Sequence, residues 1–172
     1  MNASKTLSLS HQLIKLDIAG CRRLNTYCQS PAIQGFFSIV SRLGNGALWY
    51  ALGLSLPVIY GWQGVSVLFT YTLTGLICVG LYKQLKKRLL RERPFIQHLD
   101  IMKGYETLDQ YSFPSGHTMH AVCFSMLLIA SFPAYAVIAI PFSILIAISR
   151  VVLGLHYPSD VVCGALLGAA LA

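Results

Sequence analysis

The stretch Leu43–Tyr82, LGNGALWYALGLSLPVIYGWQGVSVLFTYTLTGLICVGLY, runs for forty residues without one Asp, Glu, Lys or Arg. A helix needs about 20 apolar residues to cross the hydrocarbon core of a bilayer, so the stretch is long enough for two crossings. Gly61-Trp62-Gln63-Gly64 lies near its middle, where the glycines interrupt a helix and the indole suits a membrane–water boundary. The reading is a helical hairpin. A second charge-free stretch of forty residues, Gln110–Ser149, is divided by Ser131-Phe132-Pro133-Ala134 and reads as a second hairpin from about Gly116 to Ser149. The last apolar run, Val161–Ala172, would be only about 18 Å long as a helix and reads as a span cut short.

Composition agrees. Of 172 residues, 55% are hydrophobic and 11% charged, against roughly 25% charged in soluble domains. The expected fold is all-α, a polytopic membrane helical bundle of about five transmembrane helices in one domain, 1–172. Before it, Leu13, Ile14, Leu16, Ile18 and Leu24 interleave with Lys15, Asp17, Arg22 and Arg23, the pattern of an interfacial amphipathic helix. Met1–Ser30 lacks an apolar core with a small-residue cleavage site, so no cleaved signal is expected. The formal charge of +7 suits anionic lipid; a chain this apolar excludes nucleic acid as partner. Cys21, Cys28, Cys78, Cys123 and Cys163 form no C-x-x-C pair and read as small buried hydrophobes.

A hairpin returns the chain to the side it left. Three segments outside the hairpins therefore share one membrane face, and each carries polar groups suited to an anion. Lys86 and Arg93 are seven residues apart in KKRLLRERP, one face of a helix, where a point charge and a planar fork can grip phosphate oxygens; a basic run beside a span is equally a topology signal. Phe113-Pro114-Ser115-Gly116-His117 opens the second hairpin. A helix start offers free N–H groups to an anion, Ser115 adds a hydroxyl, Gly116 admits an oxyanion to the backbone, and His117 can transfer a proton near neutrality; an ordinary loop-to-helix junction has the same pattern. In Ser149-Arg150-Val151-Val152-Leu153-Gly154-Leu155-His156-Tyr157-Pro158-Ser159-Asp160, ionisable groups sit where an apolar segment makes them costly. Asp160 could fix the His156 tautomer and leave the other ring nitrogen as nucleophile, or cap the last helix. His98, His120, Glu106 and Asp109 lie near these segments and read as interfacial or solvated.

Taken in order, K-x6-R-P, P-S-G-H and S-R-x5-H-x3-D resemble the signature of the type 2 phosphatidic acid phosphatase and vanadium haloperoxidase superfamily, and the hairpins resemble its membrane-bound bacterial lipid phosphatase branch. The resemblance covers Lys86 to Asp160. It implies that His156 is a nucleophile forming a phosphohistidine, that Asp160 orients it, and that His117 is the general acid. It implies a phosphate cradle of Lys86, Arg93, Ser115, Gly116 and Arg150, with no metal and no cofactor. The implied partner is a membrane lipid phosphate, with undecaprenyl diphosphate favoured over phosphatidylglycerophosphate, phosphatidate or a lipid A phosphate. A small anionic-lipid transporter component is the non-enzyme alternative, and a vanadate-dependent haloperoxidase is disfavoured by the spans. The positive-inside rule puts the basic face in the cytoplasm; the resemblance implies a bacterial inner membrane with the site at its periplasmic or outer face.

Overall fold

Proline or glycine stands at most helix boundaries of this chain and sets where the apolar runs break. A computed structural model describes residues 3–107 and 109–172; the N-terminal segment Met1–Ser30 is therefore described from Ala3 onward. Its helices are α1 (Ala3–Asn25), α2 (Pro31–Leu43), α3 (Ala47–Leu89), the single turn α4 (Pro94–Gln97), α5 (Gly116–Ser131), α6 (Ala136–Val152) and α7 (Pro158–Leu171), with 3₁₀ turns at Thr26–Gln29 and Pro133–Tyr135. There is no strand among the described residues.

The expected first hairpin is folded within α3. Gly61 takes φ 57°, ψ −132°, outside the helical region, a conformation glycine adopts without a Cβ penalty. The chain turns back so closely that a Cβ on Gly64 would lie 2.1 Å from the Leu56 carbonyl oxygen, and Gly53 faces Leu68 and Tyr71. The arms 47–60 and 62–89 thus run side by side. Ser131 ends α5 and Ala136 opens α6, so the second hairpin turns where the sequence placed it. Leu48–Gln97 and Pro133–Val152 are long and apolar enough to cross a membrane, while Gly116–Ser131 and Pro158–Leu171 are apolar but shorter.

Helix α5 is the hub, packed against α3, α6 and α7. Trp49, Leu56 and Tyr71 of α3 meet Phe124 and Leu128 of α5 and Ile146 of α6 in the main core. Gly164 and Gly168, one turn apart on α7, lie against the α5 backbone, where a Cβ would come within 2.5 Å of Ser115 O and 2.3 Å of Met119 O. Small residues at that spacing let two helices close on each other. Val58, Trp62, Phe69, Leu76, Val137 and Ile138 point outward and are exposed, an apolar periphery suited to lipid.

Helix α1 is turned with its polar stripe inward. Asp17, Cys21 and Asn25, one turn apart, are buried, while Leu13, Ile14 and Leu16 are exposed. The Asn25 side chain donates to the Met102 and Val152 carbonyls and accepts from the Met102 N–H, tying α1 to the linker and to the end of α6. Gly154, at φ 70° in the loop after α6, passes so close to Met102 O that a Cβ would approach it to 2.5 Å.

Gly168→Ala is expected to force α7 off α5 and cost about 1–3 kcal/mol. Gly80→Ala, where a Cβ meets nothing within 4 Å among the described residues, is expected to be neutral or stabilising by up to about 1 kcal/mol. Thermal unfolding in detergent checks both; equal melting of the two variants contradicts the close packing.

Candidate active site

Lys86 and Arg93 converge, though not by sharing a helix face. Helix α3 stops at Leu89, Leu90 is left-handed (φ 48°) with its N–H on Lys86 O, and Arg93 is extended (φ −78°, ψ 153°). Pro94 is the cause, since the residue before proline is driven out of the helical region. The expectation of two helical turns is corrected accordingly. Ser112 pins the new path, its N–H donating to Arg91 O and its hydroxyl to Glu92 O.

Both cations meet on one carboxylate. Lys86 Nζ lies 2.7 and 2.8 Å from the two Asp109 oxygens and 3.0 Å from Tyr111 O. Arg93 Nη2 lies 2.7 Å from Asp109 Oδ1, and its Nε donates to Asp109 O. Read from sequence as part of a solvated loop, Asp109 is instead the counter-ion of the cluster, while Glu106 stays outside on Lys103. Arg150 is 2% exposed and donates to Ser41 from α2; its Nε finds no partner among the described residues. It does not snorkel.

Helix α5 begins at Gly116 with Ser115 as its N-cap. The buried Ser115 hydroxyl sits 3.0 Å from Thr118 Oγ1 and accepts from the Thr118 N–H, and the Ser115 N–H donates to Asp160 O. Its hydroxyl thus caps the start of α5. His117 Nε2 meets the Asn45 side chain. His120 Nδ1 bonds to Gly116 O, and its ring packs near Tyr82 and Phe124. His98 lies elsewhere, beside Tyr157.

His156 stands in the loop between α6 and α7 and is 1% exposed. Its Nε2 is 3.3 Å from Arg93 Nη1, which also donates to Leu155 O. A guanidinium only donates, so Nε2 is the accepting nitrogen and the ring proton is assigned to Nδ1. That nitrogen faces Asp160 Oδ2 at 3.5 Å. Burial, then the charges of Arg93, Arg150, Lys86 and His117, hold the imidazole well below its usual range, so at neutral pH it is uncharged with a free lone pair. Asp160 is fully buried; Oδ2 accepts the Tyr157 N–H that opens α7, and Oδ1 is paired with Arg91. Asp160 therefore caps α7 while lying 3.5 Å from the His156 ring.

A cavity of about 520 Å³ starts among Lys86, Arg93, Asp109, His117, Arg150 and His156 and extends between the arms of α3, past Trp49, Gly53, Leu68, Tyr71 and Phe124. One end is cationic and the remainder apolar, a shape for an anionic head on a hydrocarbon tail. Sequence reasoning missed Asn45, Ser41 and Arg91. Asn45 and Ser41 reach the motifs from a distant segment, and Arg91, inside the first motif, is marked only by its distant partners Asp17 and Asp160. Among the described residues, no group of three His, Cys, Asp or Glu converges as a metal site.

Residues 63–172 match the family model of the PAP2 superfamily. The chain is similar to a lipid A 1-phosphatase of Rhizobium johnstonii, 34% identical over 63% of this chain and 44% of that protein. It is also similar to an undecaprenyl-diphosphatase of Sulfolobus acidocaldarius, 24% identical over 85% of this chain and 70% of that one. The chain thus spans less than half the length of the lipid A 1-phosphatase. Among solved structures, a transmembrane PAP2 type phosphatidylglycerolphosphate phosphatase from Bacillus subtilis superposes with a TM-score of 0.72, 26% identity and coverage of 93% of this chain and 82% of that one. Aquifex aeolicus LpxE superposes with a TM-score of 0.71 and 25% identity, covering 88% of each chain.

Asp109 holds the two cations that an incoming anion would need. Asp109→Asn is expected to bind inorganic phosphate about tenfold more tightly, a gain of about 1.4 kcal/mol, measured by calorimetry or by phosphate-induced stabilisation in detergent. Unchanged or weaker phosphate binding contradicts the counter-ion role.

Proposed function

The chain belongs to the PAP2 superfamily, and from that premise we propose that it hydrolyses a phosphomonoester or diphosphate of a membrane lipid through a phosphohistidine on His156. The observation that carries the reading is the placement of His156 Nε2, an uncharged acceptor 3.3 Å from Arg93, at the cationic head of an apolar cavity.

In this reading Lys86, Arg93 and Arg150 bind the phosphoryl oxygens, with the backbone at Gly116 and the capped start of α5 adding its dipole. The incoming phosphate displaces the Asp109 carboxylate. His156 Nε2 attacks phosphorus, a P–N bond forms, and the P–O bond to the lipid breaks. His117 gives a proton to the departing oxygen. Asp160 stabilises the charge that grows on the imidazole and keeps the proton on Nδ1. Water, deprotonated by His117, then attacks phosphorus, the P–N bond breaks, and phosphate leaves with His156 neutral again. Ser115 acts by fixing the helix start.

Five spans fit this picture, the two arms of α3 with α5, α6 and α7, and α1 lies at the interface with Leu13, Ile14 and Leu16 toward lipid. Undecaprenyl diphosphate is the substrate we favour. The undecaprenyl-diphosphatase of Sulfolobus acidocaldarius aligns with most of this chain, and the cavity walls beyond the cations are apolar and aromatic. For the site we propose the periplasmic or outer face of the inner membrane.

The purified protein in detergent is expected to release phosphate from undecaprenyl diphosphate faster than from phosphatidylglycerophosphate, phosphatidate or a lipid A 1-phosphate. His156→Ala, folded by its melting curve, is expected to lose at least about 10³-fold in rate. The same lipid added to spheroplasts is expected to be hydrolysed without permeabilisation. Release from none of the four lipids defeats the phosphatase reading; dependence on permeabilisation defeats the sidedness.

A further inference from the structure

Arg91 stands two residues before Arg93 but serves a different set of partners. Its Nη1 lies 2.6 Å from Asp160 Oδ1 and 2.7 Å from Ser159 Oγ, and its Nη2 lies 2.5 Å from Asp17 Oδ2 on α1. The guanidinium sits over the Tyr157 ring, 4.1 Å from its centroid. Asp17 in turn accepts from the Ser159 N–H at 2.8 Å and from its hydroxyl at 2.5 Å. The N-terminal helix, the linker and the start of α7 are therefore joined in one network, and its innermost member is Asp160.

That carboxylate is fully committed before His156 claims a share. Oδ1 is held by Arg91 and Oδ2 by the Tyr157 N–H, and His156 Nδ1, 3.5 Å from Oδ2, has no hydrogen-bond partner among the described residues. We propose that Arg91, itself held by Asp17 of α1, is a positioning residue that fixes the Asp160 carboxylate and sets how much negative charge it presents to His156. The inference rests on the reading of His156 as nucleophile and Asp160 as its orienting partner. It gives α1 a task in the chemistry, since loss of Asp17 changes the charge seen by a ring it does not touch.

The sign follows from the charges around the pair. His156 faces Arg93, Arg150, Lys86 and His117, none of which changes in the test. Asp160 faces Arg91, Asp17 and Arg93, of which only the first two change in the test, and the weak acids Cys21, Tyr157 and Cys163, whose neutral forms carry no charge. Removing the Arg91 charge leaves the carboxylate free to stabilise a proton on the His156–Asp160 couple, which then titrates at higher pH. Removing the Asp17 charge gives Arg91 wholly to Asp160, and the couple titrates at lower pH. A purely structural role would move both variants the same way, or neither.

The test is a pH titration of the purified protein in detergent carrying ¹⁵N-labelled histidine, with the His156 signal assigned by its absence in His156→Ala. Alongside it, kcat/KM against pH is measured on farnesyl diphosphate. Arg91→Gln is expected to raise the titration of the couple and the acid limb of kcat/KM together by about one pH unit, a roughly tenfold loss of rate on the acid side. Asp17→Asn is expected to move both downward. Arg91→Lys is expected to keep the wild-type limb but a lowered kcat, because an ammonium keeps the charge yet cannot fork between two carboxylates. Shifts of the same sign in Arg91→Gln and Asp17→Asn, or none in either, overturn the proposal. If Arg91→Gln does not fold, a titration unmoved by Asp17→Asn overturns it alone. A wild-type protein that releases no phosphate defeats the hydrolase reading instead, and the histidine titration still decides the role of Arg91.

Discussion

Three cations buried at one end of an apolar bundle are the constraint from which the rest of this structure follows. Lys86, Arg93 and Arg150 are each 6% exposed or less, and removing a charge from water costs several kcal/mol unless partners replace the solvent. The fold supplies those partners from far along the chain: Asp109 and the Tyr111 carbonyl for Lys86, Asp109 and Leu155 for Arg93, Ser41 for Arg150. The segment after α3, the last turn of α3, the last turn of α2 and the end of α6 are thereby drawn to one point. The compensation is incomplete, with one carboxylate serving two cations and the Arg150 Nε unpaired among the described residues. A site in that condition favours a multiply charged anion over any single carboxylate.

Burial first, and then the same excess of positive charge, explains the state of the histidine. An imidazole beside a guanidinium and out of water does not hold a second proton, so His156 keeps its lone pair at neutral pH. In the proposed reaction its attack would create positive charge on the ring, and the Asp160 carboxylate lies 3.5 Å from that ring. The apolar cavity between the arms of α3 complements this head. Glycines at 53, 61 and 64 let those arms approach and turn, so the sequence feature that makes the hairpin also shapes the cavity.

Much of this was legible beforehand, and the reason differs by level. Charge-free runs of spanning length with Gly61 and Pro133 at their centres announce hairpins, because burial in lipid and helix interruption are local properties. Hairpins in turn force the three motifs onto one side. The geometry within the site was less legible. The helical spacing of Lys86 and Arg93 misled because Pro94 overrides it. The sequence points to Ser115 as a hydroxyl for phosphate but does not show that the same hydroxyl caps the start of α5. Asp109, Arg91, Asn45 and Ser41 act through contacts made only when distant segments meet. A carboxylate in a loop of the sequence does not reveal which cations the fold will set around it.

The central claim is that phosphorus is carried on His156. The most direct measurement is a rapid alkaline quench of the purified protein during turnover of ³²P-labelled undecaprenyl diphosphate, followed by peptide mapping of acid-labile label. Label is expected on the peptide containing His156, accumulating when His117 is replaced by Ala and absent from His156→Ala. Steady phosphate release with no protein-bound label in the His117→Ala variant, or label on another residue, would contradict it.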